Sequence, residues 1–223
     1  MPNPLVDIQQ YGQSIWYDNI RRSLITSGEL QSFIAHDGLR GVTSNPAIFE
    51  KAIAGSTDYD EALKGLEQEQ DLDNKALYEH LAVRDIQAAA DVLAPVYHQT
   101  KKRDGYVSLE VSPYLAHDTA GTLEEAQRLW HDVGRSNVMI KVPATLAGIP
   151  AIRQLISQGI NVNVTLLFSM VAYEAVADAY LSGLETFVAQ GGHLGQSQAG
   201  LNSGKQKGVI AAPQPLRSIW RRE

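Results

Sequence analysis

The sequence predicts an α/β barrel of parallel strand–helix units, on three observations. Short β-branched runs recur with amphipathic helical stretches between them, which is the alternation of parallel βα units. No GxGxxG loop and no Gly-Lys-Ser/Thr loop accompanies the strands, so the nucleotide-binding doubly wound sheet loses its best evidence. Polar or ionisable residues also fall at the end of every predicted strand, where a βα barrel gathers its functional groups.

In order along the chain, the strands are Ser14 to Asp18, Gly41 to Asn45, Tyr106 to Val111, Val138 to Val142 and Asn161 to Thr165, each of a length suited to a buried strand. Between the first two, Arg22 to His36 reads as one helix with apolar Leu24, Ile25, Leu30, Phe33 and Ile34, stopped by Asp37-Gly38. The stretch from Lys51 to Asp73 reads as a helical insertion, with the charges around Asp58-Tyr59-Asp60 on a solvated face. Asn74 to Tyr97 repeats Leu77, Leu81, Ile86, Ala89, Val92 and Leu93 at helical spacing. Thr122-Leu123-Glu124-Glu125 opens another helix with a cap-like threonine and early acids, and Met170 to Gln190 follows the fifth strand as one long helix.

Composition narrows the function. The chain has 223 residues, of which 44% are hydrophobic and 20% charged, an ordinary globular balance with enough chain for a large core. A formal charge of −6 argues against a nucleic-acid partner, because no basic stripe stands ready to neutralise phosphates. Cysteine is absent, which removes disulfides, thiolate metal sites and a cysteine nucleophile. The six histidines form no HExxH or comparable ligand spacing, so no metal site is expected. With no basic, apolar leader at Met-Pro-Asn-Pro and no long apolar window, the expected location is cytoplasmic, away from membranes.

Lys141 is the most informative residue. It sits in Val138-Met139-Ile140-Lys141-Val142-Pro143-Ala144-Thr145, a cation inside an otherwise apolar strand. A buried lysine costs several kcal/mol unless it is paired, neutralised or used. Burial favours the neutral, nucleophilic amine that Schiff-base chemistry needs, whereas a lysine at a strand end can also snorkel to solvent. The other strands favour use, since Asp18, then Thr43, Ser44 and Asn45, then Glu110, then Asn163 with Thr165 reach the same barrel mouth. Each has a plainer alternative: Asp18 as a helix N-cap, Asn45-Pro46 as a turn, Thr43 as a strand former. Glu110 between Leu109 and Val111 is harder to place on the helix side, where it would be buried without a partner. A lysine nucleophile, two carboxylates for proton transfer and neutral hydrogen-bonding side chains together suit retro-aldol chemistry on a polyhydroxylated ketose.

Three ordered blocks carry a resemblance. Gly41-Val42-Thr43-Ser44-Asn45-Pro46-Ala47-Ile48-Phe49, Ile140-Lys141-Val142-Pro143-Ala144-Thr145 and Gly159-Ile160-Asn161-Val162-Asn163-Val164-Thr165-Leu166-Leu167-Phe168-Ser169 resemble the transaldolase family, most closely its longer bacterial members, over about Pro4 to Leu194. The resemblance implies a TIM-type (β/α)8 barrel, with only about five βα units present here. It implies that Lys141 forms the Schiff base and Asp18 assists carbon–carbon cleavage. Glu110 would act through a water held with Thr165, while Asn45, Asn163 and Thr43 would line the pocket for the dihydroxyacetone unit. That unit would pass from sedoheptulose 7-phosphate to glyceraldehyde 3-phosphate in the non-oxidative pentose phosphate pathway, without a cofactor. A class I aldolase, or a non-catalytic fragment of a transaldolase, is the alternative.

The resemblance ends near residue 196, which reads as truncation or alteration. Residues 1–196 are expected to form a partial barrel. Residues 197–223, with a net charge of +4 against −10 for the rest, are expected to be a disordered basic tail. The family's sixth strand block of aromatic, serine and arginine has no counterpart in this sequence, so weakened phosphate binding and unpaired edges at the first and fifth strands are expected.

Overall fold

The computed structural model describes residues 3–69, 73–193, 199–201 and 209–211. Five parallel strands lie side by side in sequence order: β1 (Ser14–Asp18), β2 (Leu39–Thr43), β3 (Tyr106–Glu110), β4 (Val138–Pro143) and β5 (Val162–Thr165). A sequential parallel order needs a crossover after each strand, and the helices supply it. α1 (Pro4–Asp7) precedes β1, and the others are α2 (Arg22–Thr26), α3 (Glu29–His36), α4 (Pro46–Ala54), α5 (Asp60–Glu69), α6 (Asn74–Gln99), α7 (Thr119–Val133), α8 (Gly148–Ser157) and α9 (Met170–Ala189). This is the architecture of a half barrel.

Several expectations shift. β2 starts and ends two residues earlier than predicted, because Asn45 leaves the strand to cap α4, its Oδ1 accepting from the Ile48 N–H at 2.9 Å, with Pro46 at the first helical turn. The single helix expected over 22–36 is two, broken at Gly28, whose φ of 81° is left-handed. α7 begins at Thr119 rather than Thr122, with Asp118 Oδ1 accepting from the Gly121 N–H at 3.0 Å, while Thr122 Oγ1 donates to the Leu115 carbonyl instead. α8 was not anticipated. Asp118→Ala should therefore cost about 1 kcal/mol, a typical N-cap loss, seen as a fall in melting temperature of roughly 2–4 °C by circular dichroism; an unchanged midpoint would show that this cap does not hold α7.

The insertion docks rather than floats. Tyr59 is fully buried and donates to Asp85 Oδ2 at 2.7 Å, while the Arg22 guanidinium donates to Asp85 Oδ1 at 2.9 Å and stacks 4.4 Å from the Tyr59 ring centre. Asp58 accepts from the Ser23 N–H, and only Asp60 of the three stays on the solvated face. Burial and the Asp85 carboxylate together push the Tyr59 hydroxyl well above its usual range, so it remains a donor at neutral pH.

Both outer strands carry partners. β6 (Ala199–Leu201) runs parallel to β5, and β7 (Val209–Ala211) runs antiparallel to β1. The expectation of bare edges at the first and fifth strands is thus corrected, since exposed strand backbone recruits any segment that can satisfy it. These six residues also depart from the expected disordered tail. The rest of 197–223 lies outside the described residues. Runs of three residues are too short to show a period of two in sequence.

The two sheet faces differ. The helix-side face carries Val42, Val107, Leu109, Val138, Ile140, Val142, Val162 and Val164, packed against Leu24, Ile86, Leu93, Leu129 and Leu155 in one apolar core. The opposite face is layered. Its lower layer holds Trp16, Tyr106 and Met139 with Tyr97, and a β-carbon at Gly41 would overlap the Trp16 indole, so the glycine makes room for the ring. Its upper layer is polar and forms the site.

Candidate active site

Strand register assembles the upper layer. Thr43 stands opposite Ser108, Glu110 opposite Lys141, and Lys141 opposite Asn163, with Thr165 one step above. Partners in parallel strands project to the same face, and residues two apart on a strand do so as well. These side chains therefore share one mouth at the C-terminal ends of the strands.

Lys141 is only 6% exposed. Its Nζ donates to the Ser44 carbonyl at 2.9 Å and pairs with Glu110 Oε2 at 3.1 Å, so the charge expected to be costly is matched by a carboxylate and an oriented dipole. Two of the three ammonium hydrogens are thereby engaged. The snorkelling alternative does not apply at this burial.

Three buried polar atoms have no partner among the described residues: Thr43 Oγ1, Asn163 Oδ1 and Thr165 Oγ1. Such an atom costs about 1–3 kcal/mol when left unmade. Three of them on the face that carries Lys141 describe a surface built for hydroxyl groups, because each is neutral and each can accept a hydrogen bond.

Glu110 reaches two environments. Besides Lys141, it borders a cavity of about 340 Å³ lined by Lys75, Tyr78, Glu79, Ser112 and Glu125, between α6 and α7. Glu125 accepts the Ser112 N–H at 2.5 Å, and its other oxygen takes Lys75 Nζ at 2.6 Å, which fixes the chain just past Glu110. Burial, then the Glu110 charge, pushes the Tyr78 hydroxyl up, so it stays protonated beside the carboxylate. Two further hydroxyls brace the loops after β3 and β4: Thr145 Oγ1 donates to Ala116 O at 2.6 Å and Thr119 Oγ1 to Ala147 O at 2.7 Å.

Asp18 and Asn45 lie further out. Asp18 is exposed at the end of β1, three strands from Lys141, and its side chain makes no hydrogen bond or ion pair among the described residues. It does not cap α2, whose N-cap is Arg21 without a side-chain bond. Asn45 spends its Oδ1 on the α4 cap, leaving its amide N–H₂ to donate. Sequence reading gave no role to Tyr78 or Ser108 and none beyond its place at the mouth to Ser44; Ser44 directly follows β2, and Ser108, in the middle of β3, shares the face of Glu110 by the two-residue period.

The described residues thus define a (β/α)-barrel protein in half-barrel form, with a buried lysine–carboxylate pair at its mouth. A sequence profile described as transaldolase/fructose-6-phosphate aldolase matches residues 15–213. The chain belongs to this family. It is 50% identical over 194 residues to Transaldolase 2 of Nostoc sp. strain PCC 7120, covering 87% of this chain and 51% of that protein. It is 50% identical over 190 residues to the Transaldolase of Trichodesmium erythraeum, covering 85% and 50% respectively. With the Transaldolase of Thiobacillus denitrificans the identity is 48% over 193 residues, covering 86% and 54%. The chain spans about half the length of the curated relatives it matches. Among the described residues, no helix is long and apolar enough to cross a membrane.

Proposed function

We propose that the chain carries the Schiff-base site of a cytoplasmic transaldolase that moves a dihydroxyacetone unit from sedoheptulose 7-phosphate to glyceraldehyde 3-phosphate. The observation that carries this reading is the buried Lys141–Glu110 pair among three unpartnered hydrogen-bonding atoms. Lys141 passes a proton to Glu110 and, as the free amine, attacks the ketone carbon, and its nitrogen proton moves to the oxygen to give the carbinolamine. Glu110, acting through a water shared with Thr165, protonates the departing hydroxyl, which leaves as water and gives the iminium. Asp18 takes the proton of the hydroxyl β to the iminium carbon, the carbon–carbon bond breaks, and its electron pair moves to the iminium nitrogen as an enamine. The released aldehyde departs, the enamine adds to the acceptor aldehyde, whose new hydroxyl takes its proton back from Asp18, and water adds to the iminium to free Lys141. Thr43, Asn45 and Asn163 hold the hydroxyls of the three-carbon unit during the exchange.

Transfer and simple cleavage separate in a coupled assay with fructose 6-phosphate. Release of glyceraldehyde 3-phosphate that depends on added erythrose 4-phosphate is the expected result. Equal release with and without the acceptor would move the assignment to an aldolase, and no release under either condition would overturn catalysis by this chain.

A further inference from the structure

We infer that residues 212–223 dock in a groove on the helix side of β1, with Leu216, Ile219 and Trp220 turned into it. The inference goes beyond the chemistry at Lys141 and does not rest on it. On the helix side of β2 to β5, Val42, Val107, Ile140 and Val162 are fully buried. On β1 the corresponding Ile15 and Tyr17 are only half-buried, and α3 touches Tyr17 through Phe33 at a ring separation of 5.4 Å. With exposed Leu5 these side chains line a groove of about 600 Å³ that also carries Asp18 and Asp37. No lysine or arginine lines it among the described residues. The Asp18 side chain has no partner among them, and Asp37 Oδ1 accepts only a neutral donor, Asn3 Nδ2 at 3.0 Å. An apolar groove with two carboxylates at its rim fits a segment that is apolar on one face and basic on the other.

The chain itself supplies one. β7 pairs antiparallel with β1, Val209 opposite Trp16 and Ala211 opposite Ser14, so the backbone leaves β7 at the foot of the groove. Beyond β7 the sequence runs Ala212-Pro213-Gln214-Pro215-Leu216-Arg217-Ser218-Ile219-Trp220-Arg221-Arg222-Glu223, outside the described residues. Leu216, Ile219 and Trp220 recur at the spacing of one helical face, and Pro215 suits a first helical position, where its missing N–H costs nothing. Residues 216–223 would span about 12 Å as a helix, within the roughly 16 Å length of β1. Charge sets the direction. Arg217 falls toward the foot, where Asp37 precedes β2, and Arg221 with Arg222 toward the head, where Asp18 ends β1.

Hydrogen exchange of the full chain, read by mass spectrometry against a free peptide of residues 212–223, tests this. The amides of residues 217–222 should exchange about tenfold slower in the chain than in the peptide. Exchange at the peptide's rate would overturn the inference. Tyr17→Lys, which places a cation in the groove, should abolish the slowing, whereas Ala175→Lys, in the separate groove between α8 and α9, should leave it. The reverse pattern would move the segment to that other surface and overturn the assignment. Arg217→Glu combined with Arg221→Glu cannot disturb the barrel's own packing, since neither residue belongs to a described element, and should remove most of the slowing. Lys205→Glu with Lys207→Glu, the same change of charge ahead of β7, should not. Slowing that survives the arginine reversal, or that both pairs abolish alike, would overturn the charge-matched docking. The slowing should also persist on dilution of a chain that sediments as a monomer. Slowing that fades on dilution would give the groove to the segment of a second copy.

Discussion

Lys141→Ala abolishes the borohydride-trapped ketose adduct: with fructose 6-phosphate, wild type should gain covalent mass at Lys141 and the variant none. The mass also reports how far the reaction has gone. A six-carbon adduct records imine formation, whereas a three-carbon adduct records cleavage before reduction. The wild type should give the three-carbon species, and Asp18→Asn should shift the product toward the six-carbon one, because imine formation does not need Asp18 and bond breaking does. Both Lys141→Ala and Lys141→Met leave Glu110 without its ion pair, and Lys141→Met, which keeps most of the stem packing, shows by circular dichroism whether the fold survives that loss. An adduct of equal yield in both variants would place the chemistry on another lysine.

Gly41→Ala should produce a large stability loss for a single added methyl group. The new β-carbon would overlap the indole of Trp16, which is 4% exposed and closed in by Tyr97, Tyr106 and Met139. Overpacking a filled core costs about 1–3 kcal/mol, and the upper part of that range applies where a rigid bicyclic ring must move. For a chain of this size the melting temperature should fall by roughly 4–12 °C. Trp16→Phe in the same background should recover part of the loss. A Gly41→Ala protein that melts with wild type would show that the indole has room the packing does not display.

The strands were legible because their helix-side positions are mostly apolar, and four of the five, Ser14–Asp18, Tyr106–Glu110, Val138–Pro143 and Val162–Thr165, lie within one residue of expectation. Boundaries failed where capping chemistry competed with strand propensity, as at Asn45, and where a glycine interrupted a continuous apolar pattern, as at Gly28. α8 was missed because its Pro150 falls in the first turn, where the absent N–H costs nothing but the residue reads as a breaker. For the site, the sequence announced Lys141 through its anomalous charge and Glu110 through the lack of any other tolerable place for it. The hydrogen-bonding work of Ser44 and Ser108 stayed hidden, since a buried serine in a strand raises no alarm until its partners are known. Asp18 was named at the same mouth, yet it stands three strands from Lys141.

The dry floor of Trp16, Tyr106 and Met139 gives the molecule an internal hydration gauge. Trp16 is one of three tryptophans in the chain and lies on the face that carries Lys141, one layer below the polar mouth. An indole kept from water emits at shorter wavelength than one that water has reached. Its colour thus reports whether solvent has penetrated below the nucleophile, a reading of barrel integrity that needs neither substrate nor label.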